Sequence, residues 1–437
     1  MKVSPARLAA FEILFRVARE EAYASNLLTS ARYENLSSAD HALAQELTLG
    51  VLRWQAQLDF FITHFTKRKL AKLDLEVVIA LRLGLYQLQF LDRIPPHAAI
   101  NESVNLVKLY KKHSAAPMVN AVLRAAQRAG KDALAQIIQT IADPLENLSV
   151  ETSHPQWLLE RWVKRWGADE TRNLALANNR APVTAFRFNS RVQAEAATRE
   201  WLAAQHIQIR PAEFAPKAAV ITAGSLSANA EALQQGWLYL QDEASQLVAH
   251  LAADFRLPTS DFRFLDVCAA PGSKTSLLAS LLPEDALIVA GDLHLHRLQT
   301  MRELAARANI TNLHLVQWDA AKSLPFATEN NFDFVLLDAP CSGLGTLQRH
   351  PEIKWRVTQA KIQELAALQK RLLVNAAAQV RGGGTLTYSV CSTEVEGRTG
   401  PVLLTITVPP FIKLTKMSVW FLSPGSTFRG SAFGELT

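Results

Sequence analysis

Apolar residues in the first third of the chain recur at helical spacing. Near the start they form one stripe: Leu8, Phe11, Phe15 and Ala18. A second stripe runs through residues 73–88, and the pair Pro95-Pro96 should end that helix, because proline lacks an amide proton and clashes with the preceding turn. Further helices are predicted over 101–113 and 118–130, the latter ended by a glycine. We therefore predict a bundle of short helices over residues 1–145.

The pattern changes after residue 145, where prolines and short alternating runs replace the helical stripes. Strand-like runs alternate with helical ones: strands at 184–188, 218–224 and 236–240, helices at 194–205 and 242–255. This mixture predicts a small α+β linker domain over residues 146–256.

From residue 262 short apolar strands alternate with helices. Five strands are predicted, at 262–267, 286–292, 314–319, 332–338 and 384–390. Helical stretches at 275–282, 295–308 and 358–380 separate several of them. Such alternation predicts a doubly wound, mostly parallel α/β sheet of the Rossmann type over 257–396. Ligands of such sheets bind beyond the carboxyl ends of the strands.

Composition narrows the class of protein. With 437 residues, 49% apolar and 20% charged, the chain is long enough for two or three folded domains and is not disordered. It has no run of 18 apolar residues, and charges interrupt its apolar start, so we expect neither a membrane span nor a signal peptide, and a cytoplasmic location. The net charge is +6, most of it in residues 1–145, which fits an anionic partner such as nucleic acid without requiring one.

The loop LDVCAAPGSKT, residues 265–275, joins the first strand of the predicted sheet to its helix. Small residues in this loop would let a ligand approach the backbone: Ala269, Ala270, Gly272 and Ser273. Lys274-Thr275 fits the end of a Walker A loop, but Cys268 and Ser273 stand where that loop needs glycines. The Rossmann G-x-G-x-x-G is absent as well. We therefore expect a cofactor that needs no phosphate cradle.

Carboxylates follow successive strands of the predicted sheet. Asp266 lies at the end of the first, Asp292 at the end of the second and Asp319 at the end of the third. An acidic residue after the second strand commonly accepts hydrogen bonds from ribose hydroxyls. Aspartate also caps helices that follow strands. Three such residues at successive strand ends favour a site for a ribose and a base.

Two cysteines also follow strands. The three cysteines of the chain are too few for a disulfide framework, and their spacing forms no CxxC knuckle, so we expect no metal. Cys341 lies in D-A-P-C-S-G, just after Asp338, and Cys391 lies in Y-S-V-C-S-T-E. A lone cysteine is usually a small buried side chain. Two beside the expected ligand crevice indicate nucleophilic chemistry, since a thiolate is a good nucleophile once its pKa falls below about 8.5.

These motifs carry a resemblance to a known family. Residues 262–396, with one cysteine in D-A-P-C-S-G and one in a C-S loop, resemble the RNA cytosine-5 methyltransferases of the Fmu/Sun family. Residues 1–145 are similar to the NusB-type helical RNA-binding domain, notably in HAAINESVNLVK and VNAVLR. FRFNSR and QDEASQLV match the family's linker region. The resemblance implies a NusB-like bundle, an α+β linker and a Rossmann-like methyltransferase domain.

The resemblance also implies S-adenosylmethionine as the methyl donor and small-subunit (16S) ribosomal RNA as the partner. One loop would hold the methionine end of the cofactor: Cys268, Ala269, Ala270, Pro271, Gly272, Ser273 and Lys274. Asp292 would bind the ribose and Asp319 the adenine edge. Asp338, oriented by Lys274, would sit next to the reacting cytosine, and it is counted among both the catalytic and the cofactor-binding residues. Cys391 would be the nucleophile and Cys341 would help release the product. We expect a monomer.

The chain departs from the family pattern in two places. Ser273 replaces a glycine of P-G-G-K, and serine is small enough to be tolerated there. From Gly397 the chain has four prolines and no helical period, so 397–437 is predicted to be an atypical tail, as a shifted reading frame would produce. Two strand-like runs in it, 401–408 and 411–422, could still pair with the edge of the sheet.

Basic side chains outside these motifs are candidates for RNA contacts: Arg53, Lys67, Arg68, Lys69, Lys111, Lys112 and Arg187. A solvated helix face explains the lysines equally well. His350, Pro351 and Trp355 are candidates to wall the base pocket, with Trp355 equally suited to a core. Two other functions stay open at this point: an RNA-binding module without catalysis, and a transfer RNA cytosine-5 methyltransferase.

Overall fold

The computed structural model describes residues 3–20, 22–226, 230–253, 261–326 and 332–394, and the backbone of 402–407, 417–421 and 432–434. The chain divides into two compact units. The first, called the helical unit, contains Met1–Pro182 and Thr346–Val357; the second, called the sheet unit, contains Val183–Gly345 and Thr358–Thr437. Among the described residues, none of the helices combines the length and apolar character needed to cross a membrane.

Helices α1 to α10 build most of the helical unit: α1 Pro5–Glu20, α2 Ala24–Leu28, α3 Ser38–Arg53, α4 Gln55–Thr66, α5 Leu75–Phe90, α6 Pro96–Leu109, α7 Ala116–Gln139, α8 Pro144–Thr152, α9 Gln156–Trp166 and α10 Ala168–Asn178. The Pro95-Pro96 pair separates α5 from α6, and Pro96 opens α6 because its fixed φ suits a first helical turn. Gly130, with φ 77°, interrupts the helical path inside α7, where the sequence predicted a helix end. The predicted bundle is confirmed.

The predicted apolar stripes contribute to the core of the helical unit, although Leu8 and Phe15 are only half-buried against it and Ala18 is exposed. Phe11 of α1 and Leu81 and Leu85 of α5 are buried in one cluster. The close approach of α3 to α5 depends on Gly50, since a Cβ there would lie 1.9 Å from Cζ of Tyr86. A glycine in mid-helix is therefore required by packing.

The helical unit extends beyond the sequence boundary drawn at 145/146. Helices α8, α9 and α10 continue to Asn178, and the division between units falls between Pro182 and Val183. Pro155 precedes α9 inside the helical unit, so it does not mark the start of the mixed α+β region. The domain ranges themselves remain predictions.

A four-stranded antiparallel sheet follows, in the order β2-β3-β1-β4. Its strands are β1 Ala185–Phe188, β2 Gln208–Pro211, β3 Ala218–Ala223 and β4 Leu238–Leu240. Its helices are α11 Glu195–Ala204, α12 Glu231–Gln234 and α13 Glu243–Ala253. The predicted strands and helices of this region are confirmed. The sequence analysis missed β2, which is largely exposed and so lacks an apolar alternation.

The larger sheet has the order β12-β11-β10-β9-β8-β5-β6-β7. Its strands are β5 Arg263–Asp266, β6 Leu287–Asp292, β7 Leu313–Gln317, β8 Phe332–Asp338, β9 Val380–Ser389, β10 Val402–Thr407, β11 Met417–Phe421 and β12 Ala432–Gly434. Its helices are α14 Ser273–Leu281, α15 Leu295–Arg307 and α17 Gln359–Ala377, while α16 Ile353–Arg356 belongs to the helical unit. Strands β5 to β9 pair in parallel, which confirms the predicted doubly wound sheet.

Strand order reverses between β5 and β8. From β5 the chain proceeds outward to β6 and β7, then returns to place β8 and β9 on the other side of β5. A crevice opens at such a switch point, and this is where doubly wound sheets bind ligands. The motifs predicted from the sequence follow the strands on both sides of this point.

Antiparallel strands extend the sheet beyond β9. Strand β10 pairs with β9, and β11 and β12 follow outward. β10 and β11 lie in the strand-like runs predicted at 401–408 and 411–422. The shifted reading frame stays a prediction, and the other residues of 395–437 lie outside the described part of the chain.

Candidate active site

The carboxyl ends of the parallel strands bring the predicted site residues to one edge of the sheet. Asp266 is the last residue of β5, Asp292 of β6 and Asp338 of β8. Cys391 follows β9 by two positions, and β8 and β9 are neighbours in parallel register. Residues separated by more than a hundred positions therefore meet at the switch point.

The loop between β5 and α14 is anchored through its backbone. Val267 N donates to Leu336 O at 2.9 Å, and Ala269 N donates to Gly291 O at 2.8 Å. Gly272, with φ 98°, lets the chain turn into α14. Burial raises the pKa of Cys268, so this thiol stays neutral. Cys268 thus lines the loop as a small side chain and is not an activated nucleophile.

Asp266 is buried beneath that loop. It is 1% exposed, and Thr275 Oγ1 donates to its Oδ2 at 2.6 Å. Its Oδ1 has no hydrogen-bond partner among the described residues. Burial raises the pKa of Asp266 to about 7. An acceptor that is buried and unmatched at this position suits a ligand that brings a donor.

The carboxyl group of Asp292, at the end of β6, is held by residues that follow it in the chain. His294 N donates to Asp292 Oδ1 at 3.0 Å, and Arg297 Nη1 lies 3.5 Å from Asp292 Oδ2. Arg297 Nη2 also donates to Ala270 O at 2.6 Å, so it links the cofactor loop to Asp292. Arg297 was not predicted as a site residue. The sequence indicates its role only through its position about one helical turn after Asp292.

Asp319 lies two residues beyond β7 rather than at its end. Its Oδ1 accepts a hydrogen bond from Ala321 N at 3.0 Å. The neighbouring Trp318 donates from Nε1 to Val267 O at 2.9 Å and lies against Gly291, where a Cβ would meet the indole at 2.0 Å. This indole fixes the residues after β7 against those after β5, and the adenine-edge role of Asp319 stays a prediction.

Asp338 is the centre of a charged network. Lys274 Nζ donates to Asp338 Oδ2 at 2.6 Å, which matches the predicted orienting role of this lysine. Ser389 Oγ donates to Oδ1 at 2.6 Å. Burial acts to lower the pKa of Lys274, but the charge and hydrogen bond of Asp338 outweigh it and raise that pKa. Lys274 is therefore a cation that joins the cofactor loop to β8.

Cys341 and Cys391 lie side by side. Their Sγ atoms are 3.1 Å apart, in hydrogen-bond contact, and Cys391 is the more exposed of the two. The hydrogen bond from Cys391 lowers the pKa of Cys341, and the same bond raises the pKa of Cys391. The charge of Lys274 acts in the opposite direction on Cys391 and favours its thiolate. The pair can therefore share one proton between two sulfurs.

Hydrogen bonds hold the two cysteine loops together. Ser342 Oγ and Ser392 Oγ are 2.7 Å apart, and Gly345 N donates to Cys391 O at 3.0 Å. A Cβ at Gly345 would lie 3.0 Å from the same carbonyl, so a larger residue there would crowd this hydrogen bond. The serine after each cysteine was missed as a functional element, although the C-S dipeptide occurs in both motifs.

Two of the predicted RNA contacts are wrong. Arg187 is 4% exposed and donates to Ser276 Oγ at 2.7 Å and to Gln241 Oε1 at 3.0 Å, so it supports α14 from β1. Burial lowers its pKa to about 10, so the guanidinium stays charged at neutral pH. Arg53 is 5% exposed. A charged residue type alone could not reveal that these side chains are buried.

The other basic candidates lie at the surface of the helical unit. Lys67, Arg68, Lys69 and Lys111 are exposed. Lys112 is half-buried, with its Nζ 3.0 Å from Asp74 Oδ2. A cleft of about 610 Å³ lies nearby, with Arg68 among its lining residues. These four exposed cations remain predicted RNA contacts.

The predicted wall of the base pocket has partners elsewhere. Trp355 Nε1 donates to Leu52 O at 2.8 Å, and Tyr23 lies edge-on to His350 at 5.7 Å between ring centroids. Pro351 is buried. All these contacts lie within the helical unit. Trp355 is half-buried and packs there, and the wall role of the three residues stays a prediction.

Three protein families match the chain. Residues 256–416 match the family described as 16S rRNA methyltransferase RsmB/F, and residues 4–128 match the NusB family. Residues 154–225 match the ferredoxin-like domain of RsmF/B-like methyltransferases. These matches cover β5 to β10 of the larger sheet, α1 to α6 with the first half of α7, and the elements from α9 to β3.

Curated relatives match most of the chain. A protein of Bacillus subtilis named probable ribosomal RNA small subunit methyltransferase B is 34% identical over 393 residues, 90% of this chain and 86% of that protein. Ribosomal RNA small subunit methyltransferase B of Pseudomonas syringae pv. tomato is 34% identical over 391 residues, 89% of this chain and 83% of that protein.

Solved structures share the fold. The crystal structure of PH0851 matches with a TM-score of 0.75 and 23% identity, covering 91% of this chain and 88% of that one. A methyltransferase homologue from Pyrococcus horikoshii matches with a TM-score of 0.50 and 26% identity, covering 58% of this chain and 79% of that one.

Proposed function

The chain belongs to the ribosomal RNA small subunit methyltransferase B family, and on that premise we propose that it methylates carbon 5 of a cytosine in 16S ribosomal RNA. The methyl donor is S-adenosylmethionine. The observation that carries the proposal is the pair of thiols, Cys341 and Cys391, 3.1 Å apart beside the Asp338–Lys274 ion pair. Addition of a thiolate to a pyrimidine, followed by its expulsion, needs a nucleophile and a proton acceptor at such close range.

The residues at the strand ends fit S-adenosylmethionine. The unmatched Oδ1 of buried Asp266 is an acceptor for a donor such as the cofactor's amino group. Asp292 and Asp319 offer further acceptors for ribose hydroxyls and the adenine amino group. The small residues of the loop from Cys268 to Lys274 leave backbone accessible to the methionine end. When bound, S-adenosylmethionine supplies an electrophilic methyl group for the activated carbon 5.

Nucleophilic attack is assigned to Cys391. Its sulfur is the more exposed of the pair and adds to carbon 6 of the cytosine, forming a carbon–sulfur bond. The thiol proton passes to the thiolate form of Cys341, whose sulfur is 3.1 Å away and whose lowered pKa makes that form accessible. Addition moves the electrons of the carbon 5–carbon 6 double bond toward carbon 5, which becomes nucleophilic. Lys274 assists by favouring negative charge on Cys391.

Asp338 orients the base. With Oδ1 and Oδ2 each holding one donor, its carboxyl group is fixed in place but keeps lone pairs for a further hydrogen bond. A bond to the ring near nitrogen 3 would stabilise the charge that develops on the cytosine. The target base must be unpaired or flipped out, because stacking in a duplex hides carbon 6.

Release of the product is assigned to Cys341. After passing its acquired proton to solvent, the Cys341 thiolate removes the proton from carbon 5. The freed electron pair restores the carbon 5–carbon 6 double bond and expels Cys391 as a thiolate. The proton lost by the cytosine balances the methyl group gained.

Methyl transfer from labelled S-adenosylmethionine to unmethylated small-subunit RNA tests the proposal. Wild type and Cys391→Ala are compared, with cofactor binding by calorimetry as the control that both proteins retain the cofactor site. Label in RNA with wild type only, at carbon 5 of cytosine, supports the proposal. No label from folded, cofactor-binding wild type would instead favour an RNA-binding module without catalysis. Labelling of transfer RNA but not of small-subunit RNA would indicate that the substrate is transfer RNA.

A further inference from the structure

One segment of the chain leaves the sheet unit and completes the helical unit. Residues Thr346–Val357 belong to the helical unit, whereas Gly345 before them and Thr358 after them belong to the sheet unit. The segment includes the short helix α16 and starts five positions after Cys341. Whatever fixes this segment therefore acts close to a residue of the proposed reaction.

Two buried ionisable side chains fix the segment within the helical unit. Lys354 is 1% exposed, and its Nζ donates to Arg53 O at 2.8 Å and to Asn179 Oδ1 at 2.9 Å. Burial lowers the pKa of Lys354 well below its ordinary value. Glu352 is also 1% exposed, and its Oε1 accepts from Ala24 N at 2.9 Å. A buried lysine and a buried glutamate leave the segment little freedom.

The other donors of the segment reach the carbonyl ends of helices. Trp355 Nε1 donates to Leu52 O at 2.8 Å, at the end of α3. Arg356 Nη2 donates to Val17 O at 2.7 Å, in the last turn of α1. Gln348 Nε2 donates to Ala177 O at 2.9 Å, near the end of α10. The last four carbonyls of a helix lack intrahelical partners and attract cations, so the segment caps three helices.

The opposite end of the Cys341 loop is fixed within the sheet unit. Ala339 N donates to Ser389 O at 2.9 Å, directly after β8. Gly345 N donates to Cys391 O at 3.0 Å, and the next residue already belongs to the helical unit. Cys341 thus lies in a short loop that the helix-capping segment directly continues.

We propose that residues 346–357 are a tether that holds Cys341 in position for product release, with Lys354 and Trp355 as positioning residues. The inference rests on the proposed function, because Cys341 matters for release only if the thiol adduct forms. Loosening the tether should weaken the restraint on Gly345, so that its hydrogen bond to Cys391 O breaks more often and Cys341 leaves its position beside Cys391, while the cofactor loop is unaffected. The covalent RNA–protein adduct should then form and persist.

The test uses the full chain with Lys354→Met, unmethylated small-subunit RNA and S-adenosylmethionine. Cys341→Ser serves as the reference for blocked release. Lys361→Met is the matched control, because Lys361 is an exposed lysine of α17 paired only at the surface with Glu364. Denaturing gels measure adduct that resists detergent, and calorimetry measures cofactor affinity. Hydrogen exchange of the peptide that spans 346–357 reports whether the tether has loosened.

Lys354→Met should lower kcat about tenfold or more, because it removes both hydrogen bonds of Nζ, to Arg53 O and to Asn179 Oδ1. Adduct should accumulate as in Cys341→Ser, with faster exchange over 346–357 and cofactor affinity within about twofold of wild type. Trp355→Phe removes one hydrogen bond and keeps an aromatic ring, so it should move kcat and adduct the same way by about twofold to fivefold. It serves as the test if Lys354→Met does not fold.

Two results would overturn the tether. In the first, exchange over 346–357 accelerates while kcat and adduct levels match those of Lys361→Met. In the second, adduct is absent from every variant, Cys341→Ser included, and wild type transfers no label. That second result refutes the proposed function itself, and the proposal that 346–357 is a tether is refuted together with it.

Discussion

Replacement of Asp266 by asparagine should make the protein more stable in alkaline solution while weakening its hold on the cofactor. This carboxyl is buried at the end of β5, with Thr275 as its described hydrogen-bond donor and Oδ1 unmatched. Burial without full compensation raises its pKa to about 7. Ionisation of the Asp266 carboxyl group therefore lowers the free energy of unfolding.

The sign and size of the change in stability follow from the number of protons that the folded and unfolded chains bind. Between about pH 4 and 7 the unfolded chain releases this proton while the folded chain keeps it, so stability falls as the pH rises through that window. Above pH 7 the whole penalty is present. A pKa of about 7 against 3.8 corresponds to roughly 4 kcal/mol, taken as an upper bound. We expect Asp266→Asn to gain about 2–4 kcal/mol at pH 8 and almost nothing at pH 4.

Calorimetric melting from pH 4 to pH 8 measures this gain. For a unit the size of the sheet unit, the Asn variant should melt roughly 5–15 °C higher at pH 8, a difference that shrinks toward pH 4. Asp285→Asn is the matched control, since Asp285 is exposed in the turn before β6 and should change stability by less than about 0.5 kcal/mol at any pH.

Cofactor binding supplies the second half of the prediction. If the carboxylate accepts a hydrogen bond from the cofactor's amino group, Asp266→Asn should weaken S-adenosylmethionine binding about tenfold or more at pH 8. An Asn variant that gains no stability between pH 4 and pH 8 would refute the account of Asp266 as a buried, poorly matched carboxyl. Unchanged cofactor affinity would refute its role as an acceptor.

Three further substitutions probe other parts of the fold. Lys274→Met should lower kcat/KM for methyl transfer about 10–100-fold, because Asp338 loses its charged partner at 2.6 Å; unchanged steady-state kinetics would contradict this. Gly50→Ala should destabilise the helical unit by about 1–3 kcal/mol in urea unfolding, since the added methyl overlaps the Tyr86 ring; an unchanged midpoint would argue against that packing. Gly383→Ala should lower the free energy of unfolding by about 1–2 kcal/mol because of backbone strain at its φ of 81°, since the space around it is open. Calorimetry that finds no loss of stability would contradict this.

The larger sheet could be predicted from the sequence because its central parallel strands, β5, β6 and β8, are almost entirely buried, whereas β7 at the edge is not. Such strands are continuous apolar runs, and the carboxylates that end β5, β6 and β8 mark where each run stops. The proximity of Cys341 and Cys391 also follows once β8 and β9 are neighbours. The hydrogen bonds between the loops, such as Ser342 to Ser392, depend on side-chain positions that a linear pattern does not specify.

The sequence could not indicate where residues 346–357 would fold. Lys354 contacts Arg53, 301 positions earlier, and no local periodicity encodes a partner at such a distance. Arg187 was misjudged for a related reason. It lies between two phenylalanines in a short strand, where alternation suggests a surface position, yet Gln241 and Ser276 satisfy its donors in the interior.

The helical unit is formed by two separate stretches of the chain, so it is completed late in synthesis. Helices α1 to α10 are complete once residue 182 has emerged, but the caps on α1, α3 and α10 arrive only with residue 357. At the usual 5–20 residues per second, that interval is about 10–35 seconds of translation. Throughout it, the nascent bundle exposes three helix ends and the surface that the segment will cover. Residues 1–182 expressed alone would remain in that unfinished state, so the segment has to accompany them in any attempt to isolate the bundle.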